Sequence, residues 1–396
     1  MQHLTTAADP AGTNWHDGVS SIAAAEWDRL AGPDNPFLRH AFLAGLEEFG
    51  CLAGHGWTPC PVTLRQDGRL IGAAPLYLRT NSYGEFVFDW AWADAFERAG
   101  GRYYPKLVSA IPFTPVRGAR LLVDPDCRGP DAIRRRLAGA ILEFCGRSRL
   151  SSFHCLFPDA ADSECLSRLG LLGRITCQFR WMNRGYRDFQ DFLDSLTSRR
   201  RKEIRRERRA VADAGVEIVR LNGAETHERE WREFYGFYCS TFARRWGSPR
   251  LTLPFFESLS TRMPREALLI LARRNGRWIA GAFAMRGSRG VYGRHWGCAE
   301  DLPFLHFELC YHQTIEYCIQ EGLEFVDAGV QGEHKLTRGF EPVGIRSCHW
   351  LGHEGFRNAV RDYLDRETPV VEDHISMLRE HLPFKATEAA SPESAP

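Results

Sequence analysis

Net charge is nearly absent from this chain of 396 residues: 51 Lys and Arg stand against 50 Asp and Glu, a formal +1. The molecule as a whole therefore presents no strong field to nucleic acid or membrane, and any basic site has to be a local patch. Long apolar runs are missing too. No stretch approaches 18 uninterrupted apolar residues, so nothing reads as a membrane span, and any membrane association is expected to be peripheral. The 12 cysteines include no Cys-x-x-Cys pair, and no apolar N-terminal run precedes the first polar segment. Reduced thiols in the cytoplasm are the expectation, rather than a disulfide framework. Residues 1–17 lack apolar periodicity and 386–396 lack core formers, so both ends are expected to be mobile.

What remains is the composition of a folded protein, 44% hydrophobic with 36 Gly and 21 Pro, at a length that suits two domains. The organisation comes from a signature that occurs twice. Pro61 to Arg65 leads through Gln66-Asp67-Gly68 into Arg69 to Leu78, and Leu268 to Arg274 leads through Asn275-Gly276 into Arg277 to Met285. Asx-Gly between apolar or alternating runs is a strong hairpin signal, because a tight turn needs positive φ. Gly68 and Gly276, Arg69 and Arg277, Ile71 and Ile279, and Ala74 and Ala282 share one offset of 208 (276 minus 68).

Similar elements follow each copy. After the first come an expected strand over 85–90, a helix over 130–147, and strands over 151–157 and 173–182. After the second come a strand over 290–296, a helix over 304–320, strands over 323–327 and 344–351, and a mostly helical stretch over 355–382. Hairpin, strand, helix and strand make a mixed α/β sheet. The chain thus divides into 18–190 and 191–385, the second part opened by a basic helix.

This element order resembles that of GNAT acyltransferases, and two such units in one chain resemble the FemABX aminoacyl transferases. The passage Leu196 to Val219 followed by Glu230 to Gly247 looks like that family's basic helix, Gly-Val strand start and Phe-Tyr helix. Similarity extends to a FemAB-like subgroup described as peptidoglycan biosynthesis or recognition proteins. It is carried by Asn35-Pro36-Phe37-Leu38, Gly56 to Pro59, Ser82 to Trp90, Tyr103 to Leu107, Pro112 to Pro115, Leu305 to Tyr311, and Gly332 to Lys335 through Arg338-Gly339-Phe340. The resemblance implies two tandem GNAT-like domains and transfer of an acyl or aminoacyl group to an amine on a small molecule or peptide. The donor it implies is a co-substrate, aminoacyl-tRNA or acyl-CoA, with no tightly bound cofactor. It specifies neither donor, acceptor nor oligomeric state, and a non-catalytic recognition protein that keeps the fold to bind a cell-wall or peptide ligand is the alternative to an enzyme.

Two clusters can carry such chemistry. His306, Glu308 and Cys310 stand at the start of the expected helix, and Gln331, Glu333, His334 and Lys335 follow a strand in a Gly-rich loop, where functional groups tend to be displayed. Transfer to an amine needs a proton acceptor, for which His306, Glu308 or His334 qualify, and a donor at the developing oxyanion, for which Lys335 qualifies. The resemblance matches Lys335 to a family lysine ahead of a Gly-Phe pair, although His334 replaces the family's Phe and the gap to Gly339-Phe340 is longer. A structural alternative has His306 and Glu308 pinning helix to loop, and Glu333 paired with Arg338. Zinc on His306, Cys310, His312 and His334 is a further alternative, without any His-Glu-x-x-His to support it, and Cys310 as a nucleophile is another.

For the donor, Arg294-His-Trp-Gly297-Cys-Ala299 fits the GNAT pyrophosphate pattern Gln/Arg-x-x-Gly-x-Gly/Ala, expected as a loop at a strand-to-helix junction. The competing donor surface is the run 199–209, with eight Lys or Arg, of which Lys202, Arg205 and Arg206 are candidate phosphate contacts. Its bland reading is a solvated helix face. In the first half, Glu85, Asp89, Trp90, Tyr104 and Lys106 are candidates to line an acceptor cleft, with ordinary core as the alternative. The second half is therefore expected to hold the chemistry, the first the acceptor or scaffold, and the cleft to lie near their junction.

Overall fold

The computed structural model describes residues 12–244, 247–329 and 332–385. Both hairpins form at the Asx-Gly turns. Asp67 and Gly68 have φ of 51° and 79°, and Asn275 and Gly276 have 50° and 73°. Positive φ at both central residues is the type I′ geometry whose twist suits a two-residue hairpin.

In chain order the strands are β1 (Thr13–Trp15), β2 (Trp57–Pro59), β3 (Val62–Gln66), β4 (Arg69–Ala74), β5 (Leu76–Arg79), β6 (Lys106–Ser109), β7 (Leu122–Val123), β8 (Ser152–Leu156), β9 (Leu172–Met182), β10 (Glu217–Asn222), β11 (Ala267–Arg274), β12 (Arg277–Arg286), β13 (Gly290–Cys298), β14 (Phe325–Asp327) and β15 (Glu341–Leu351). Four of them make a small sheet, β1-β3-β4-β7, and eleven make a large one, β10-β11-β12-β13-β14-β9-β15-β8-β6-β5-β2.

One unit recurs in the large sheet. Antiparallel β5–β6 is followed by the helix Pro130–Arg147 and then β8, parallel to β6. Antiparallel β12–β13 is followed by a helical stretch over 305–320 and then β14, parallel to β13. A parallel neighbour needs such a crossover, since a tight turn cannot return the chain in the same direction. The fold is a tandem GNAT-like α/β architecture with mixed sheets.

The halves are not laid side by side as separate sheets. β15, from the second half, lies between β8 and β9 of the first, and β9 in turn pairs with β14. The boundary expected between residues 190 and 191 falls inside the helix Phe189–Ser195. A shared apolar core also crosses the junction: Phe42 meets Phe255 and Phe37 meets Tyr292, ring centroids 5.3 and 5.6 Å apart. Each such fully buried ring contributes about 1.5–3 kcal/mol through the area it removes from water.

Two expectations are corrected. Within the stretch 1–17, residues 13–15 form β1, paired with Val62 to Leu64, and Trp15 stacks on Phe144 at 4.1 Å. A three-residue strand is held by tertiary pairing and carries no periodicity of its own. The strand expected over 85–90 is irregular, with Phe86 at φ 62°, and Trp90 begins the helix Trp90–Arg98. Residues 1–11 and 386–396 lie outside the described residues.

Candidate functional site

β13 runs to Cys298, but its pairing with β14 covers only Gly290 to Tyr292 against Phe325 to Asp327. Beyond that ladder the two strands part. The wedge between them is a cavity of about 440 Å³, walled by Phe86 and Phe113 from the first half and by β12, β13, the 305–320 helix and the segment after β14 from the second.

Lys335 enters this cavity from a 3₁₀ turn over Glu333–Arg338. Its Nζ donates to the carbonyls of Ala328 (2.7 Å) and Gly329 (3.1 Å), the residues that leave β14. An ammonium has three donors, so one remains for a ligand. Burial lowers its pKa to about 8, with the nearby Asp327 opposing the shift. His334 lies beside it, its Nε2 2.9 Å from the Tyr311 hydroxyl. Burial first, then the charges of Arg338 and Lys335, hold the His334 ring below its ordinary pKa, so it is neutral at pH 7. The Tyr311 phenol is shifted upward by burial and keeps its proton. His306 completes the group, with ring centroids 5.4 Å from Tyr311 and 6.1 Å from His334.

The 305–320 helix carries a π turn at Glu308–His312, which separates the faces of its polar residues. His306, Cys310 and Tyr311 line the cavity, whereas Glu308 and His312 do not. Glu308 accepts from Arg208 (3.2 Å) and Gln313 (2.8 Å) and meets His312 Nδ1 at 3.1 Å, a buried polar group tying this helix to Ser198–Asp213.

A family model described as peptidoglycan biosynthesis/recognition matches residues 18–386. The chain belongs to the FemAB-like family. Among solved structures, this FemAB-like chain is similar to FemX at 12% identity and a TM-score of 0.55, over 86% of this chain and 98% of that one. The C-terminal domain (DUF2156) of a 'Putative Lysylphosphatidylglycerol Synthetase' from Agrobacterium fabrum reaches 0.55 at 9% identity, covering 87% and 96%. L-PGS from Bacillus licheniformis reaches 0.50 at 10%, covering 86% and 96%. At these identities the likeness is one of fold. No curated protein matches the FemAB-like chain.

Other sequence candidates stand elsewhere in the FemAB-like fold. Arg338 donates to Glu207 Oε1 (2.6 Å) and to the His334 carbonyl, with its guanidinium 3.5 Å from the Phe307 ring centroid, so it buttresses the 3₁₀ turn. Gln331 and the Glu333 side chain lie outside the described residues. His312 faces Glu308 and Glu207 rather than His306 and His334, so the candidate zinc ligands do not converge.

The pyrophosphate-loop expectation is corrected. Arg294 to Cys298 are strand, and Gly297 pairs with Gly281 in the β12–β13 ladder. A Cβ on Gly297 would lie 2.0 Å from the Phe237 carbonyl oxygen, so the helix Glu228–Ala243 occupies the place a phosphate would need. Ala299 donates its N–H to Ile279. Arg294 is a cavity residue instead, at the register shift where β13 gains one residue over β12. Its Nη2 donates to the Phe113 carbonyl and to Thr114 Oγ1, and burial lowers its pKa to about 10.

The basic helix is largely self-compensated. Arg199 and Arg200 pair with Glu203, Arg201 with Asp194, and Arg208 with Glu308 and Glu316. Arg205 donates to Gln190, while Lys202 and Arg206 are exposed.

The acceptor candidates of the first half face one another. Lys106 Nζ donates to Ser82 (2.7 Å), Glu85 (2.8 Å) and Asp89 (2.5 Å), all buried, and Arg79 also holds Glu85. Tyr103 extends the network to His154, which meets His349 of β15 at 2.6 Å. This cluster lines no part of the cavity; Tyr104 caps it at Ser82, and Trp90 is exposed with Tyr83 and Phe88. The first half instead supplies Phe86, Phe113 and Pro115. Arg250, in the connection before the helix Leu253–Arg262, is a further cavity residue that no sequence motif marks.

Proposed function

We propose that the cavity between the halves is the site where an acyl or aminoacyl group passes to an amine. Membership of the FemAB-like family supports a transferase role, and one observation carries the assignment to this cavity. Lys335, with a donor to spare, and the neutral Tyr311–His334 pair converge where β13 and β14 part.

Attack of an amine on an acyl carbonyl builds negative charge on oxygen and positive charge on nitrogen. The Lys335 ammonium, already fixed by the Ala328 and Gly329 carbonyls, stabilises the first at low reorganisation cost. The Tyr311–His334 pair takes up the proton that the nitrogen loses and returns it to the donor's oxygen or sulfur, which leaves as the intermediate collapses to the amide. Glu308, enclosed by Arg208, His312 and Gln313, positions the helix and stays outside the reaction.

For the donor, the acyl-CoA reading has lost its motif to β13, while three exposed side chains of the basic helix, Lys202, Arg206 and Arg209, carry no carboxylate partner among the described residues. This favours an aminoacyl-tRNA or related donor. Transfer in lysate should then be abolished by RNase; transfer that survives RNase and requires only a CoA thioester overturns that donor. Lys335→Met should lower transfer by about 10²–10³-fold, the effect of deleting one oxyanion donor, without loss of folding. Unchanged transfer by this variant removes Lys335 from the chemistry.

A further inference from the structure

The cavity has an unbalanced charge. Every charged residue lining it, among the described residues, is basic: Arg250, Arg294 and Lys335, accompanied by the rings of His295, His306 and His334. Asp327, whose charge acts on both Arg294 and Lys335, is not part of the lining and is held by Arg180 at 3.0 Å and by the Gly329 N–H, which leaves Arg250 without a carboxylate. Lys335 and Arg294 spend hydrogen bonds on backbone carbonyls, which carry no net charge.

Arg250 is the least satisfied of the three. Its guanidinium lies 5.4 Å from the Phe113 ring centroid, and it has neither a carboxylate nor a carbonyl partner among the described residues. It is half-buried, and only its backbone N–H is engaged, with the Tyr238 hydroxyl. Burying cations without counter-charge is costly, and a ligand anion would recover that cost. A planar guanidinium with free donors is the side chain best shaped for a carboxylate or phosphate. The remaining walls are aromatic, with Phe86, Phe113, Tyr238, Phe242 and Trp296, and the volume of about 440 Å³ suits a small molecule.

Resting on the transferase reading above, we propose that the amine acceptor is a compact organic acid, its apolar body against these rings and its anionic group held by Arg250. Arg250 is thus a specificity residue, separate from Lys335.

The test uses the full chain and needs no turnover. Benzoate, phenyl phosphate and benzamide, of similar size and differing in charge, are titrated by isothermal calorimetry at low and high salt. Both or one of the anions should bind at least about tenfold tighter than benzamide, less so at high salt, and which anion wins separates a carboxylate from a phosphate substrate. Arg250→Gln should remove most of that preference while leaving benzamide binding unchanged, and Arg250→Lys should restore part of it. Benzamide binding as tightly as the anions, or an anion preference that survives in Arg250→Gln with an unchanged melting temperature, overturns the proposal. An Arg250-dependent preference seen without any transferase activity upholds the site and counts against the transferase reading; transfer with no anion preference does the reverse.

Discussion

At the residue scale, the site depends on protonation states set by burial. Lys335 titrates near 8 because its ammonium is desolvated, and His334 titrates below its ordinary value for the same reason. Lys335 stabilises an oxyanion best as the ammonium, and His334 accepts a proton only while its ring is neutral. Activity should therefore fall as pH rises through about 8, where Lys335 loses its proton, and fall again on the acid side, below the ordinary histidine value, where His334 gains one. A pH profile of kcat/KM checks this, and Lys335→Arg should remove the alkaline limb, since a guanidinium stays charged there. An alkaline limb unmoved by that substitution would belong to another group. The folded-state pKa of Lys335 also lies below its unfolded value, so its contribution penalises the fold at neutral pH and eases as pH rises above 8. Lys335→Met should accordingly leave the protein at least as stable at pH 7 by urea denaturation. Lys106 presents the opposite case. Three buried partners hold it, and Lys106→Met would leave Glu85 and Asp89 together without their shared cation. We expect a loss of about 3–5 kcal/mol in urea denaturation, the cost of breaking a buried ion cluster from one side. A loss under 1 kcal/mol would mean that the cluster relaxes by taking up water.

At the element scale, what was legible in the sequence followed how local its cause was. Both hairpins were readable because Asp67-Gly68 and Asn275-Gly276 set their turns unaided. The helices over 130–147 and 305–320 were readable from periodicity, and Lys335, His334 and His306 from their place after a strand and at a helix start. The strand read into 85–90 failed because Glu85 and Asp89 are buried by Lys106 and Arg79, partners that sequence spacing does not reveal. Arg250 went unseen since an arginine in a connection acquires meaning only from the cavity wall beside it. The pattern Arg294 to Ala299 failed in another way: its glycine is needed for close packing of β13 on the helix Glu228–Ala243. Gly297→Ala therefore distinguishes the two roles. Overpacking against the Phe237 carbonyl should cost roughly 1–3 kcal/mol of stability, read as a lowered urea midpoint. A phosphate-loop glycine would instead show a raised KM for a CoA donor with stability intact.

At the scale of the whole molecule, the decisive feature is the exchange of strands between the halves. β15 leaves the second half and fills the place between β8 and β9, with nine residue pairs to β9 and five to β8, and β9 reaches back to β14. Neither half then owns a closed set of partners. Without β15, the first half would expose β8 and β9 as unpaired edges, and without β9, β14 would lose one of its two neighbours. The cavity draws walls from both halves, Phe86 and Phe113 from the first and β13 from the second, and the two are joined by this shared sheet. Two domains joined by a linker would unfold in two steps, whereas halves that share strands should unfold in one. Urea unfolding followed by tryptophan fluorescence and by far-UV circular dichroism should superimpose on a single transition. Removal of residues 341–385 should abolish the native signal of the first half as well as the second. Two separated transitions, or a truncated chain that keeps a folded first half, would show that the exchanged strands decorate two independent domains and that the cavity walls can move apart.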